Sequence, residues 1–107
     1  MPWSVEVLNE TVAEELAVLP KDMKARYLRT AGLIREFGVE FLSEPYVKHL
    51  DGKLWDMRLK GRDGISRALY VTAMGKRVVV VRVFVKKTQR TPQAEIDLAL
   101  RRAKEIL

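Results

Sequence analysis

The sequence contains no cysteine and only one histidine, His49, among its 107 residues. Without thiols, disulfide scaffolds, cysteine-ligated zinc, iron–sulfur clusters and thiol nucleophiles are excluded, and a reducing compartment is the natural setting. A lone imidazole excludes any scheme in which two histidines exchange a proton, and a single His in a loop is ordinarily a surface residue. Long apolar runs are missing too. None exceeds four residues, as in Val78 to Val81, far short of the roughly 20 that a membrane span needs. The chain opens on Trp3 and Glu6 rather than on a basic stretch before an apolar one, so no membrane partner is expected and the cytoplasm is the expected location. Carboxylates are sparse where a metal-dependent nuclease would gather them, since the strand region offers only Asp56 and Asp63. No phosphate-cradling glycine loop and no GxSxG motif occurs, and Gly61-Arg62-Asp63-Gly64 reads as a turn. Neither a metal nor a cofactor is expected.

What is present suits one folded domain over residues 1–107. Hydrophobic residues make up 48% of the chain, enough to bury a core and too much for disorder. The net charge of +6 is unevenly placed. Residues 1–53 hold seven basic and nine acidic side chains, whereas residues 54–107 hold thirteen and five. The excess positive charge lies in the second half, where it points to a polyanionic partner.

Periodicity supplies the expected elements. Trp3 to Leu8 alternates as a short strand ending at Asn9, and a helix from Thr11 runs to Pro20. A second helix follows, with Met23, Tyr27, Leu28, Ala31, Ile34 and Phe37 on one face and Gly38 as its stop. Residues 39–53, with Pro45 and the Asp51-Gly52 turn signal, read as loop. Leu54 to Lys60 alternates, placing Trp55, Met57 and Leu59 in the core and Asp56, Arg58 and Lys60 on a charged face. Strands from Ile65 to Ala73 and from Arg77 to Lys87, joined at Gly75-Lys76, complete a meander. Thr91 as N-cap and Pro92 at the first helical position start a last helix, with Ile96, Ala99, Leu100, Ala103 and Ile106 as its apolar stripe. The fold class is α+β: a small, mainly antiparallel sheet with an N-terminal helical hairpin and a C-terminal helix.

Strand alternation also sorts the cations. Arg58 and Lys60 share a face of one strand, Arg67 lies in the next, and Arg82, Phe84 and Lys86 share a face of the third. Arg82, within the run Val78 to Val85, must be paired, lie at a groove or be costly to bury; the groove is the functional reading, and a pair with Asp56 or Asp63 across the sheet is the structural one. Lys86 and Lys87 beside Phe84 combine phosphate contacts with base stacking, for which Tyr70 is a second aromatic unless, sharing a face with Ala68, it is buried.

The stretch LWDMRLKGRDGISRALYV, followed by VVVVRVFVKKTQRTPQAEIDLALRRAKEIL, closely resembles the phage-derived HigB-like toxins of the RelE/ParE superfamily, which belong to type II toxin–antitoxin systems. The resemblance spans residues 54–107 and is looser in the helical hairpin. It implies a RelE-like fold whose concave face cleaves mRNA on the translating ribosome. It also implies a helix-turn-helix antitoxin as partner, with operator DNA bound through the toxin–antitoxin complex. By position, Arg58 and Arg67 match the family's strand arginines, Lys86 and Lys87 its basic pair, and Phe84 the aromatic before it. Where many relatives carry His near Arg82, this chain carries Arg.

These residues define an expected metal-independent endoribonuclease. Arg58 and Arg67 would clamp the scissile phosphate, and Lys86, its pKa lowered by Arg58, Arg67, Arg82 and Lys87, would transfer the proton, with Lys87 beside it. Lys60, Arg62, Lys76, Arg77, Arg82, Phe84, Thr88 and Arg90 are the remaining expected RNA contacts. A non-catalytic nucleic-acid-binding module and a ParE-like gyrase inhibitor are the alternatives.

Overall fold

The computed structural model describes residues 2–43, 46–86 and 90–107. Strand β1 (Ser4–Val7) leads into α1 (Glu10–Ala17), whose first turn is held by Asn9, its side chain accepting the Val12 N–H at 3.1 Å. The helix therefore starts one residue before Thr11. Pro20 precedes α2 (Lys21–Phe37), and its carbonyl accepts the Met23 and Lys24 amides. Gly38, at φ 90°, closes α2 in a conformation that a side chain would resist.

Residues 39–53 are not all loop. A 3-10 turn (Val39–Phe41) and strand β2 (Val47–Asp51) lie there, the strand pairing antiparallel with β3 (Leu54–Gly61). Among the β2 residues Val47 alone is buried; as an edge strand it carries polar residues and shows little apolar alternation. The meander of β3, β4 (Gly64–Ala73) and β5 (Arg77–Lys86) is as expected, and β1 pairs in parallel with β5. The sheet order is β1-β5-β4-β3-β2.

Both faces of the sheet are packed. Val12, Met23, Tyr27, Ala31 and Ile34 of the hairpin bury Val47, Met57, Leu59, Ala68, Tyr70, Val78, Val80 and Val83. On the other face α3 (Gln93–Ala103) places Ala99 and Ala103 against Leu54, Leu69, Val71, Val79 and Val81, flanked by Ile96, Leu100 and Ile106. Each fully buried aliphatic side chain contributes about 1.5–3 kcal/mol. A bulge in β5 allows the two sets to coexist. Leu69 faces Arg82 but Tyr70 faces Val80, so Val81 is an extra residue and joins Val79 on the α3 face.

Three expected core residues lie elsewhere. Leu28 and Phe37 are exposed, because the buried stripe of α2 runs through Met23, Tyr27, Thr30, Ala31 and Ile34; Phe37 instead packs on Phe41, ring centroids 4.9 Å apart. Trp55 is 37% exposed beside the edge strand, where its ring meets His49 edge-on at 5.2 Å. Thr91 is also corrected: Pro92 takes the N-cap position of α3, and the Thr91 hydroxyl is turned to the sheet.

Candidate nucleic-acid interface

Strand register arranges the α3 face of the meander in rows. Asp56, Leu69 and Arg82 form one row, Arg58, Arg67 and Phe84 the next, and Lys60, Ile65 and Lys86 the last. The chain enters α3 over the first row. There the Thr91 hydroxyl lies 3.4 Å from Asp56 Oδ2, and Glu95 grips Arg82 through both carboxylate oxygens at 2.7 and 3.0 Å. In the rows beyond, Arg58, Ile65, Phe84 and Lys86 are partly exposed and Lys60 is exposed. Cations therefore collect where helix cover ends.

Asp56 lies at the base of this patch, wholly buried, and accepts from Arg67 Nη1 in a buried ion pair. Asp56 Oδ1, Arg58 Nε and Arg67 Nε are buried with no hydrogen-bond partner among the described residues. Orphaned polar atoms of this kind are rare in a purely structural region and typical of a site. Burial pushes the Asp56 carboxyl above its ordinary value, opposed by Arg67 and, more weakly, by Lys86 and Arg58. Lys86 is held below the ordinary lysine value, first by desolvation and then by Arg67 and Arg58. Asp56 opposes that shift and Lys48 adds to it. Desolvation is thus the largest single cause, ahead of the charges of Arg67 and Arg58.

A cleft of about 240 Å³ opens over this cluster, lined by Lys48, His49, Asp56, Arg58, Arg67 and Arg90 among others. His49 is an exposed edge-strand residue rather than part of a loop, and its Nε2 donates to the Gly52 carbonyl at 2.6 Å. Sequence reasoning missed Lys48, His49 and Thr91 as neighbours of the site, and placed Asp56 on the charged face without recognising its pairing. The alternation of Asp56 with Arg58 and Lys60 was the available signal for that acid. Nothing local marks the others, which are brought in by β2 and by the approach to α3.

The remaining expected residues are dispersed. Arg82 pairs with Glu95 and, at 2.8 Å, with Glu15, not with Asp56 or Asp63; those acids lie on α1 and α3, outside the strand pattern. Its guanidinium sits 5.7 Å from the centre of the half-buried Phe84 ring. Arg67 and Tyr70 are buried, so Tyr70 is no stacking surface. Lys76 and Arg77 lie at the far end of β5, about 30 Å from Lys86 at the usual strand rise. Arg77 is there paired with Glu6 at 2.7 Å. Arg62 sits in the β3–β4 turn near Lys60 and Lys86, with its amide bound to Asp22. Lys87 and Thr88 lie outside the described residues. Among the described residues, no three His, Cys, Asp or Glu side chains converge as a metal-ligand set.

This five-stranded arrangement is the RelE fold. The archaeal RelE–RelB complex from Pyrococcus horikoshii OT3 contains a chain 23% identical to this one, covering 85% of this chain and 100% of that chain, with a TM-score of 0.58. An arginine-to-alanine double mutant of the E. coli toxin RelE in the free state is 21% identical over 100% of both chains, with a TM-score of 0.63. The family model described as phage-derived protein Gp49-like matches residues 14–104, and the chain belongs to that family. Family and fold bear out the resemblance seen in the sequence. No curated protein sequence matches the chain significantly.

Proposed function

We propose that this chain is the toxin of a type II toxin–antitoxin system, an endoribonuclease that inhibits translation by cutting mRNA on the ribosome. The observation that carries this reading is the juxtaposition of Arg58, Arg67 and Lys86 in adjacent rows of one sheet face, over a buried acid and beside a cleft. Gp49-like family membership and the RelE fold support it.

RNA cleavage needs a proton acceptor for the 2′-hydroxyl and positive charge where the phosphate gains negative charge. Lys86, with its lowered pKa, takes the proton; the 2′-oxygen attacks phosphorus and the bond to the 5′-oxygen breaks, leaving a 2′,3′-cyclic phosphate and a 5′-hydroxyl protonated from water. Arg58, partly exposed, contacts the phosphate. Arg67, fixed by Asp56, supplies field from beneath rather than a grip, which revises its expected role as half of a clamp. Lys87 is proposed to assist Lys86. Lys60, Arg62, Phe84, Thr88 and Arg90 contact RNA around the cut. The chemistry uses no metal. Weak intrinsic acid and base groups fit a reaction in which the ribosome holds mRNA near its attack geometry.

The expected partner is a helix-turn-helix antitoxin that occupies the basic face and carries the complex to operator DNA; the RelE–RelB complex supports an antitoxin partner. The proposed location is the cytoplasm. The test is mRNA cleavage in a translating extract, with and without ribosomes, for wild type, Arg58→Gln and Lys86→Ala. Ribosome-dependent cuts that both variants lose are expected. Intact mRNA with wild-type protein overturns the reading in favour of a binding module, or of a gyrase inhibitor if DNA damage appears.

A further inference from the structure

Strand β2 begins at Val47, opposite Met57, so among the described residues no strand pairs with the outer edge of β3 from Arg58 onward. Tyr46 is fastened at the corner: its carbonyl accepts the Arg58 N–H at 2.8 Å and its own N–H donates to Ser43 at 2.9 Å. The Tyr46 side chain remains 52% exposed. Here a cleft of about 340 Å³, lined by Arg26, Tyr46, Arg58, Lys60 and Ile65, adjoins the cleft over Asp56 and shares Arg58 with it. Arg26 comes from α2, so helix and sheet each contribute cations to one concavity. None of its described lining residues is a carboxylate, and Asp22 on the same helix is engaged by the Arg62 amide.

We propose that this cleft is a nucleotide subsite that holds the RNA residue next to the scissile phosphate, with its base on Tyr46 and its phosphate between Arg26 and Lys60. The inference rests on the RNA-cleavage reading and adds a binding site to it. Three properties select a nucleotide. The volume lies at the lower end of small-ligand sites. An exposed aromatic ring on a fixed backbone offers a stacking platform that every base can use. Arg26, Arg58 and Lys60, the charged residues of its described lining, match a phosphodiester better than a neutral or cationic ligand. Because Arg58 belongs to both clefts, a phosphate on Arg58 has its neighbouring nucleotide within reach of Tyr46.

The test uses the full chain and an all-2′-O-methyl RNA hexanucleotide, which binds without being cut, together with mRNA cleavage on ribosomes. Tyr46→Leu, which keeps apolar bulk but removes the π-face, is expected to weaken hexanucleotide binding about tenfold, whereas Tyr46→Phe binds as wild type. Arg26→Gln is expected to reduce the slope of log affinity against log salt by about 0.7, the loss of one phosphate contact on a single strand. On ribosomes, Tyr46→Leu raises the toxin concentration needed for half-maximal cutting and broadens base preference beside the cut. Wild-type binding and cut sites in Tyr46→Leu and Arg26→Gln overturn the subsite and leave the ribonuclease reading standing. Loss of antitoxin neutralisation in these variants with RNA binding unchanged also overturns it, assigning the cleft to a protein partner. A wild-type chain that neither binds nor cuts RNA overturns both.

Discussion

The Arg67 guanidinium donates to the Asp56 carboxylate at a place where both side chains are shut off from solvent. Removing one member of such a pair strands the other without compensation, at a cost of about 3–5 kcal/mol. Arg67→Ala is therefore expected to lower stability as well as activity, and inactivity alone would say little about chemistry. The double variant Asp56→Leu, Arg67→Met is expected to recover most of the lost stability in urea unfolding while mRNA remains uncut. Recovery of cutting along with stability would show that the pair serves only the fold.

Cleavage is expected to rise with pH and to level off before the ordinary lysine range, because Lys86 accepts the proton only when neutral and its pKa is lowered. The neighbours give the direction of further shifts. Asp56 favours the charged ammonium, so Asp56→Asn moves the profile to lower pH; Arg58 disfavours it, so Arg58→Gln moves the profile to higher pH. Single-turnover cleavage on purified ribosomes measures both. A profile untouched by either change would remove Lys86 from proton transfer.

Arg82 is expected to behave as a structural residue. It is committed to Glu15 and Glu95, and Glu15 also holds the Val83 amide at 3.1 Å and Arg102 at 3.0 Å. Arg102 in turn donates to the Val81 carbonyl at 3.0 Å. These side chains satisfy the β5 edge where β1 stops. Arg82→Met should cost about 1 kcal/mol in thermal or urea unfolding and leave cutting intact. A large loss of cutting at unchanged stability would return Arg82 to the RNA interface.

Gly61→Ala tests how α2 seats on the sheet. An added methyl would lie 2.8 Å from Met23 Cγ and 2.9 Å from the Asp22 carboxylate, so both side chains must give way and Asp22 is pushed from the Arg62 amide. A loss of about 1–3 kcal/mol is expected in urea unfolding. Lys76→Ala and Arg77→Ala, remote from the cleft, should cut mRNA as wild type does.

The meander was legible because Met57, Leu59, Ala68 and Val83 each fall where period two places them, with turns at Asp63-Gly64 and Gly75-Lys76. Strand β2 was hidden because an edge strand buries little: Lys48, His49 and Asp51 carry no apolar signal, and Pro45 precedes them. The phase change at Val81 is a bulge, which no count of alternating residues anticipates. At the site, the cations were visible one strand at a time, and the row of Arg58 with Arg67 followed from the alternation. The partners of Arg82, the burial of Arg67 and the approach of Arg26 and Tyr46 depend on contacts between segments distant in the chain, which local spacing does not encode.

The parallel pairing of Ser4 with Arg77 ties one of the first strands to one of the last. Around that closure, Lys48, Asp56, Arg67 and Thr91 reach a common cleft only when β2 through the approach to α3 have all been made. During synthesis the early segments emerge first, and they carry α1, α2 and a strand with no sheet to join. For a protein proposed to attack the translation machinery, such an order of assembly works as a timer. The ribosome producing the chain meets an unfinished, harmless polypeptide for most of the elongation, and competence arrives together with the segment that completes the fold.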